Sequence, residues 1–147
     1  MSGMDERVAA FIDQNPSAAM VTLRADGTPH TARVGVAVID GKIWSSGTQT
    51  RVRTRHLRRD PRSSLFVFDT SPDGKWLGLE TEVTILESPD VPELSFRMMR
   101  QMQKDSAPEG KVGWFSGMLT KEEFMATMLE EQRLIYEFHV KRAYGYY

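Results

Sequence analysis

Two Asp-Gly pairs, Asp26-Gly27 and Asp40-Gly41, each stand between short runs of apolar residues, and they narrow the fold more than any other feature. Asp-Gly favours two-residue hairpin turns because both central positions need positive φ, which glycine adopts freely and aspartate tolerates. Residues 18–23, 30–39 and 42–46 therefore read as three strands of an antiparallel meander. In the middle strand Ala32, Val34, Val36 and Val38 form one uniformly apolar face. The opposite face, Thr31, Arg33, Gly35 and Ala37, is small or polar. A glycine there marks either a close approach by a ligand or backbone, or an ordinary solvated face.

The rest of the chain supports a β-rich domain. Residues 5–14 read as a helix, with Val8, Phe11 and Ile12 at helical spacing and Asn15-Pro16 as its stop. A second helix is expected over residues 50–59, capped by Thr48 or Thr50 and ended by Asp60-Pro61. Strands follow at 64–68 and at 76–85, where Leu77, Leu79, Val83 and Ile85 alternate with Trp76, Gly78, Glu80, Glu82 and Thr84. Residues 89–104 and 121–133 read as helices with apolar stripes Leu94-Met98-Met102 and Phe124-Met128-Leu129. Methionines so placed suit core or dimer packing. Residues 134–144 alternate as a last strand. The expected fold is mainly β with helices (α+β): about six antiparallel strands in a small barrel with flanking helices, one domain over residues 1–147.

The function classes narrow by exclusion. With no cysteine there is no disulfide, thiolate nucleophile or zinc-thiolate site. His30, His56 and His139 lack short metal-ligand spacing, so no metal is expected. No apolar run reaches the ~18 residues of a membrane span, and residues 1–8 carry no targeting signature. The absence of cysteine fits a cytoplasmic location. Net charge is only −1, which gives no general affinity for nucleic acid.

That charge is unevenly placed. Residues 51–62 hold six arginines against the single acid Asp60. Arg51, Arg55, Arg58 and Arg62 would share one helical stripe. Three readings are open: a solvated basic helix, a nucleic-acid contact without the usual interleaved aromatics, or a site for an anionic cofactor. The last draws support from the sequence before the helix, Ser46-Gly47-Thr48-Gln49-Thr50. A glycine admits a close backbone approach, hydroxyl and amide groups donate, and a helix start presents free N–H groups to phosphate.

The stretches MVTLRADGTPH (20–30), TRVRTRHLRRDPR (50–62) and WLGLE (76–80), with Ala143-Tyr144-Gly145 near the end, resemble the pyridoxamine-phosphate-oxidase-like split β-barrels. The likeness is to their flavin/deazaflavin oxidoreductase branch, which uses coenzyme F420. It covers most of the chain and is most specific at 50–62. The resemblance implies a homodimer with a cofactor groove at the subunit interface. It implies that Gln49, Thr50, Arg51 and Arg53 surround the cofactor phosphate, and that Arg55 serves the phosphate or an acidic oligoglutamate tail. Thr31, Arg33 and Gly35 would lie under the ring, and Trp76 and Gly78 would line the ring or substrate side.

The implied activity is hydride transfer from reduced F420 to a small conjugated organic substrate, in which the cofactor carries the chemistry and no protein nucleophile is required. FMN is the alternative cofactor. A non-catalytic F420 or FMN carrier or sensor, an FMN-dependent oxidase and a haem-binding relative are the alternative functions. His30 is a candidate proton donor, with Arg33 or solvent in its place otherwise, whereas His56 reads as a helix-surface residue. Glu80 and Glu82 share a strand face but read as exposed charge. Residues 88–119 exceed what a minimal barrel needs, and Trp114-Phe115 within them either cap a substrate pocket or tuck against the barrel.

Overall fold

The computed structural model describes residues 4–104 and 106–147. Met1–Gly3, part of the segment read as free of targeting signals, lie outside the described residues. Helix α1 (Glu6–Gln14) leads into strands β1 (Ser17–Leu23), β2 (Pro29–Gly35), β3 (Ala37–Ile39) and β4 (Lys42–Thr48). Helix α2 (Val52–Arg59) precedes β5 (Arg62–Phe68) and β6 (Trp76–Leu86). Then come α3 (Val91–Met102), β7 (Lys111–Trp114), β8 (Gly117–Thr120), α4 (Lys121–Glu130) and β9 (Arg133–Tyr146). None of these helices is long and apolar enough to cross a membrane.

Both Asp-Gly pairs reverse the chain, but only Asp40-Gly41 is the expected two-residue turn; the Asp26-Gly27 loop is longer, with Gly27 N–H donating to Arg24 O at 2.9 Å and Asp26 not at positive φ. Asp26 accepts from the Thr28 N–H at 3.0 Å and its hydroxyl at 2.6 Å, and Gly27 takes φ 86°. Asp40 and Gly41 both take positive φ, 50° and 78°. The strand between the turns departs from expectation. It breaks at Val36, whose N–H donates to Pro16 O (3.0 Å) instead of continuing a ladder. β2 pairs with β1 and β3 with β4, so no three-stranded meander exists.

The break decides the architecture. The sheet order is β2-β1-β5-β6-β9-β4-β3, with every pairing antiparallel. Its two edge strands, β2 and β3, are separated in sequence by Val36 alone. One residue cannot span an open seven-stranded sheet, since strands lie ~4.8 Å apart. The sheet must curl until its edges meet, which gives a split barrel. At the seam the Ser45 hydroxyl on β4 donates to Gly35 O on β2 at 2.6 Å. The fold is therefore the expected α+β barrel, with seven strands in the main sheet and a separate hairpin β7–β8.

The barrel interior holds Met20, Val34, Val36, Ile43, Leu65, Val67, Leu77, Leu79, Leu134, Tyr136 and Phe138, closed at one end by Val8, Phe11 and Ile12 of α1. Each such large side chain contributes roughly 1.5–3 kcal/mol by leaving water. Beyond the break the faces exchange roles: Ala37 and Ile39, not Val38, become fully buried, because α3 covers that outer face. In α3 the expected stripe survives, with Met98 buried and Leu94 and Met102 partly so. In α4, Phe124 and Met128 are buried but Leu129 is 70% exposed, since the helix ends at Glu130 and turns away through Gln132.

Candidate functional site

The end of β4 and the start of α2 are held by a buried tyrosine. Gly47 lies over the Tyr136 ring of β9, where a β-carbon would stand 2.7 Å from Cε2 and closer still to Cζ and the hydroxyl. The Tyr136 hydroxyl meets Thr54 Oγ1 at 2.5 Å, and Thr54 donates in turn to Thr48 O at 2.7 Å. Thr54 thus pins the turn, while neither Thr48 nor Thr50 caps the helix. The N-cap is Arg51, which makes no side-chain capping bond. Thr48 and Thr50 instead meet each other at 3.4 Å. An uncapped helix start leaves first-turn N–H groups and the positive dipole end open to an anion.

Beside this start is a cavity of about 250 Å³. Gly35, Ser45, Ser46, Arg51 and Arg53 line one part, Met99, Met102, Trp114 and Phe115 another, with Arg33 and Arg133 between. Four arginines face it, and no carboxylate is among its lining residues. Arg33 donates to Ser17 Oγ at 3.0 Å. Arg133 pairs with Glu131 at 2.9 Å and covers the Trp114 ring at 4.8 Å. Arg53 lies 5.9 Å above the Tyr136 ring, and its Nε is buried with no hydrogen-bond partner. Burial, followed by the nearby Arg51 and Arg133 charges, pulls the Arg53 guanidinium below its ordinary pKa, opposed by Tyr136. A partly desolvated guanidinium with one N–H left unpartnered is an arrangement that an anion completes.

The expected site residues separate into groups. Arg33, Gly35, Arg51 and Arg53 meet at this cavity. Gln49 does not: its amide is committed to Glu87 (3.1 Å) and Arg58 (2.9 Å). Thr50 and Arg55 are exposed outside it. The long arginine stripe also fails, because α2 ends at Arg59 and Arg62 begins β5. Arg58 is bound by Glu87, whose carboxyl is drawn down to about 2 by that contact and by Gln49. Arg62 is bound by Asp60, likewise drawn to about 2 by the Arg62 side chain.

Thr31 and Arg33 line an apolar groove of about 560 Å³ with Ser17, Ala18, Ala19 and Phe68. Arg33 joins this groove to the arginine cavity, and Phe68 joins it to a surface depression containing Phe66 and Trp76. Trp76 pairs with Tyr146, at the opposite end of β9 from Arg133, so Trp76 and Gly78 are remote from Arg51 within this chain. The backbone of Gly78 is covered by the Tyr144 ring, which approaches to 2.6 Å of where a β-carbon would be. His30 points from the strand face opposite Thr31 and Arg33 and meets His56 edge-on at 5.3 Å. His56, expected on the helix surface, is 8% exposed and bonds Thr22 Oγ1 at 2.8 Å. Among the described residues no group of three potential metal ligands exists.

Sequence reasoning misses Ser45, Met99 and Arg133 at the cavity, and it gives Ser46 only a place in the turn before α2 and Met102 only a packing role. No local pattern marks them. They converge only because β9 pairs with β4, setting Arg133 opposite Thr48, and because α3 packs against β3 and β4.

Solved structures share the fold. The conserved hypothetical protein Rv2991 from Mycobacterium tuberculosis is 23% identical with a TM-score of 0.75, covering 97% of this chain and 84% of that one. An F420 reductase is 17% identical with a TM-score of 0.65, covering 92% of this chain and 94% of that one. The haem storage protein HutZ from Vibrio cholerae is 11% identical with a TM-score of 0.68, covering 98% of this chain and 95% of that one. At such identities the likeness is one of fold. The sequence profile of the pyridoxamine 5'-phosphate oxidase family, however, matches residues 4–135, nearly the whole length. The chain belongs to the pyridoxamine 5'-phosphate oxidase family.

Proposed function

We propose that this protein is an F420H2-dependent reductase of a small conjugated organic substrate, with the cofactor phosphate at Arg51 and Arg53 and the ring along the Thr31–Arg33–Gly35 face. One observation carries the proposal: the buried, unpartnered Nε of Arg53 beside the uncapped start of α2. The residues present fit the group. Arg51, Arg53 and the first-turn N–H groups supply charge-assisted donors to a phosphate. Gly35 adds no side chain to that face, and the flexible Met102 thioether, 3.2 Å from where its β-carbon would stand, has to swing aside for a ring to lie there. With Arg133 neutralised by Glu131, Arg33, Arg51 and Arg53 still offer more charge than one phosphate uses, which favours F420 and its acidic tail over FMN. Among structural neighbours, one is an F420 reductase.

When bound, the reduced cofactor supplies a hydride. The chain's own task is placement. Arg51 and Arg53 fix one end of the ligand, Arg33 sits where it can orient a substrate oxygen or donate a hydrogen bond, and Met99 and Met102 exclude water. His30 is on the wrong strand face to act as proton donor, so solvent supplies the proton while Arg33 assists by hydrogen bonding. The adjoining 560 Å³ groove, lined by Thr31 and Arg33, has room for the ring, and the arginine cavity beside it leaves space for a substrate, which favours a reductase over a carrier that covers its ligand on both faces.

The reductase would act as a homodimer. Phe68, Trp76 and Tyr146 form one cross-strand row on the outer sheet face, and Phe66 and Tyr144 a second that flanks Gly78. All five rings are more than a third exposed, a patch that a second copy would cover. Trp76 would then approach the partner's ligand.

The test is a titration with F420 and with FMN, followed by F420H2 oxidation against enones and quinones. Micromolar F420 binding with substrate-dependent oxidation is expected. FMN binding with no F420 binding would replace the cofactor assignment, and tight F420 binding without turnover on any acceptor would leave a carrier.

A further inference from the structure

We infer that the insertion between β6 and β9 builds a second subsite in the arginine cavity, one for a planar organic anion, with Phe115 and Arg133 as its specificity determinants. This rests on Arg51 and Arg53 being the phosphate site, and it names the substrate class of the proposed reductase. The cavity has two chemically different sides. The β4–α2 side is cationic and hydroxylic, whereas the insertion side is Met99, Met102, Trp114 and Phe115.

The insertion side is a built wall. Gln103 of the turn after α3 brackets Gly113, accepting from its N–H at 2.7 Å and donating to its carbonyl at 3.0 Å. Arg100 donates to Lys111 O and Pro108 O, both at 2.7 Å. The hairpin is thereby fastened to α3. Trp114 is held edge-on by Phe124 at 5.4 Å and faced by the Arg133 guanidinium at 4.8 Å. Its Nε1 donates to Glu131 at 3.3 Å.

Phe115 has no such structural role. It is 89% exposed, touching the Trp114 ring at 5.0 Å from the edge of the cavity. A large aromatic so exposed contributes almost nothing to folding and is free to cover a ligand. Arg133 spends Nε and one terminal nitrogen on Glu131, while its Nη1 reaches toward Ser46 Oγ at 3.4 Å on the cationic side. A guanidinium stacked on indole, next to a second ring and two adaptable thioethers, suits a thin, flat, apolar body. Arg33, the cavity arginine left over from the phosphate pair and from the Arg133–Glu131 ion pair, suits a carboxylate on that body.

The probe is 2-naphthoate, with neutral 2-naphthalenemethanol beside it, titrated calorimetrically with and without saturating F420. The wild type should bind naphthoate with F420 present, and at least about tenfold more tightly than the alcohol, the worth of one charge-assisted bond. Phe115→Ala, a change at an exposed tip, should weaken naphthoate about five- to tenfold while F420 affinity moves less than twofold. Arg133→Lys, which keeps charge but not the planar fork, should likewise weaken naphthoate alone. Equal binding of acid and alcohol, indifference to both substitutions, or displacement of naphthoate by F420 would overturn the subsite. If F420 fails to bind while naphthoate still depends on Phe115 and Arg133, the cofactor assignment falls and the subsite stands.

Discussion

Replacing Gly47 by alanine probes the support beneath the phosphate site. The added methyl would lie within 2.7 Å of Tyr136 Cε2, well inside contact distance. Tyr136 cannot move aside, being fully buried in the barrel core with its hydroxyl engaged by Thr54. Overpacking of this kind costs about 1–3 kcal/mol, and so rigid a neighbour puts Gly47→Ala at the upper end, about 3 kcal/mol. Gly35→Ala is the internal contrast. Its methyl would meet only the Met102 thioether at 3.2 Å, the flexible end of a partly buried side chain, so the cost should stay below about 1 kcal/mol. Urea unfolding measures both, through the midpoint at constant m-value. In the double variant Gly47→Ala/Tyr136→Leu the clash is gone, and the two changes should couple favourably by about 2 kcal/mol. F420 binding should weaken in Gly47→Ala, because the Thr48–Thr54 clamp must shift. If Gly47→Ala matches the wild type within about 0.5 kcal/mol and binds ligand equally, Tyr136 does not brace this turn.

Phe68→Asp would place charge in the centre of the outer aromatic face. Sedimentation should show a dimer for the wild type and a monomer for this variant; a dimer for both would place the interface elsewhere. The buried His56 is held below its ordinary pKa by burial first, then by His30, Arg59, Arg24 and Arg55. The unfolded chain therefore takes up this proton first, and native stability is lost as pH falls below about 6.5 toward the depressed native value. His56→Asn, which can still bond Thr22, should flatten that part of the stability–pH curve, and superimposable curves would remove His56 as its cause. Glu87→Gln should cost at most about 1 kcal/mol, as expected of a half-exposed ion pair, and leave cofactor affinity unchanged. A marked loss of affinity would return Gln49 and Arg58 to the site.

Much of the barrel was legible because its signals are local. Asp-Gly turns, strand alternation and the α1 spacing each act within a few residues. The break at Val36 was not, since nothing in Gly35-Val36-Ala37 distinguishes a continuous strand from one whose halves pair at opposite ends of the sheet. That choice is made by the closure of β9 onto β4 and by the Pro16 carbonyl. The candidate site shows the same division. Arg51 and Arg53 stood out by charge density and position after a strand. Gln49 and Arg58 stood out too, yet Glu87, distant in sequence, holds both. Arg133, alone among acidic and apolar neighbours, gave no signal until β9 brought it across.

The central claim is that Arg51 and Arg53 hold the phosphate of a bound F420. Isothermal titration of F420 into the wild type and into Arg51→Ala/Arg53→Ala addresses it directly. Charge-assisted bonds are worth about 1.5–3 kcal/mol each, so the double variant should bind at least a hundredfold more weakly while unfolding at a similar urea concentration. Equal affinity for the two proteins would contradict the account.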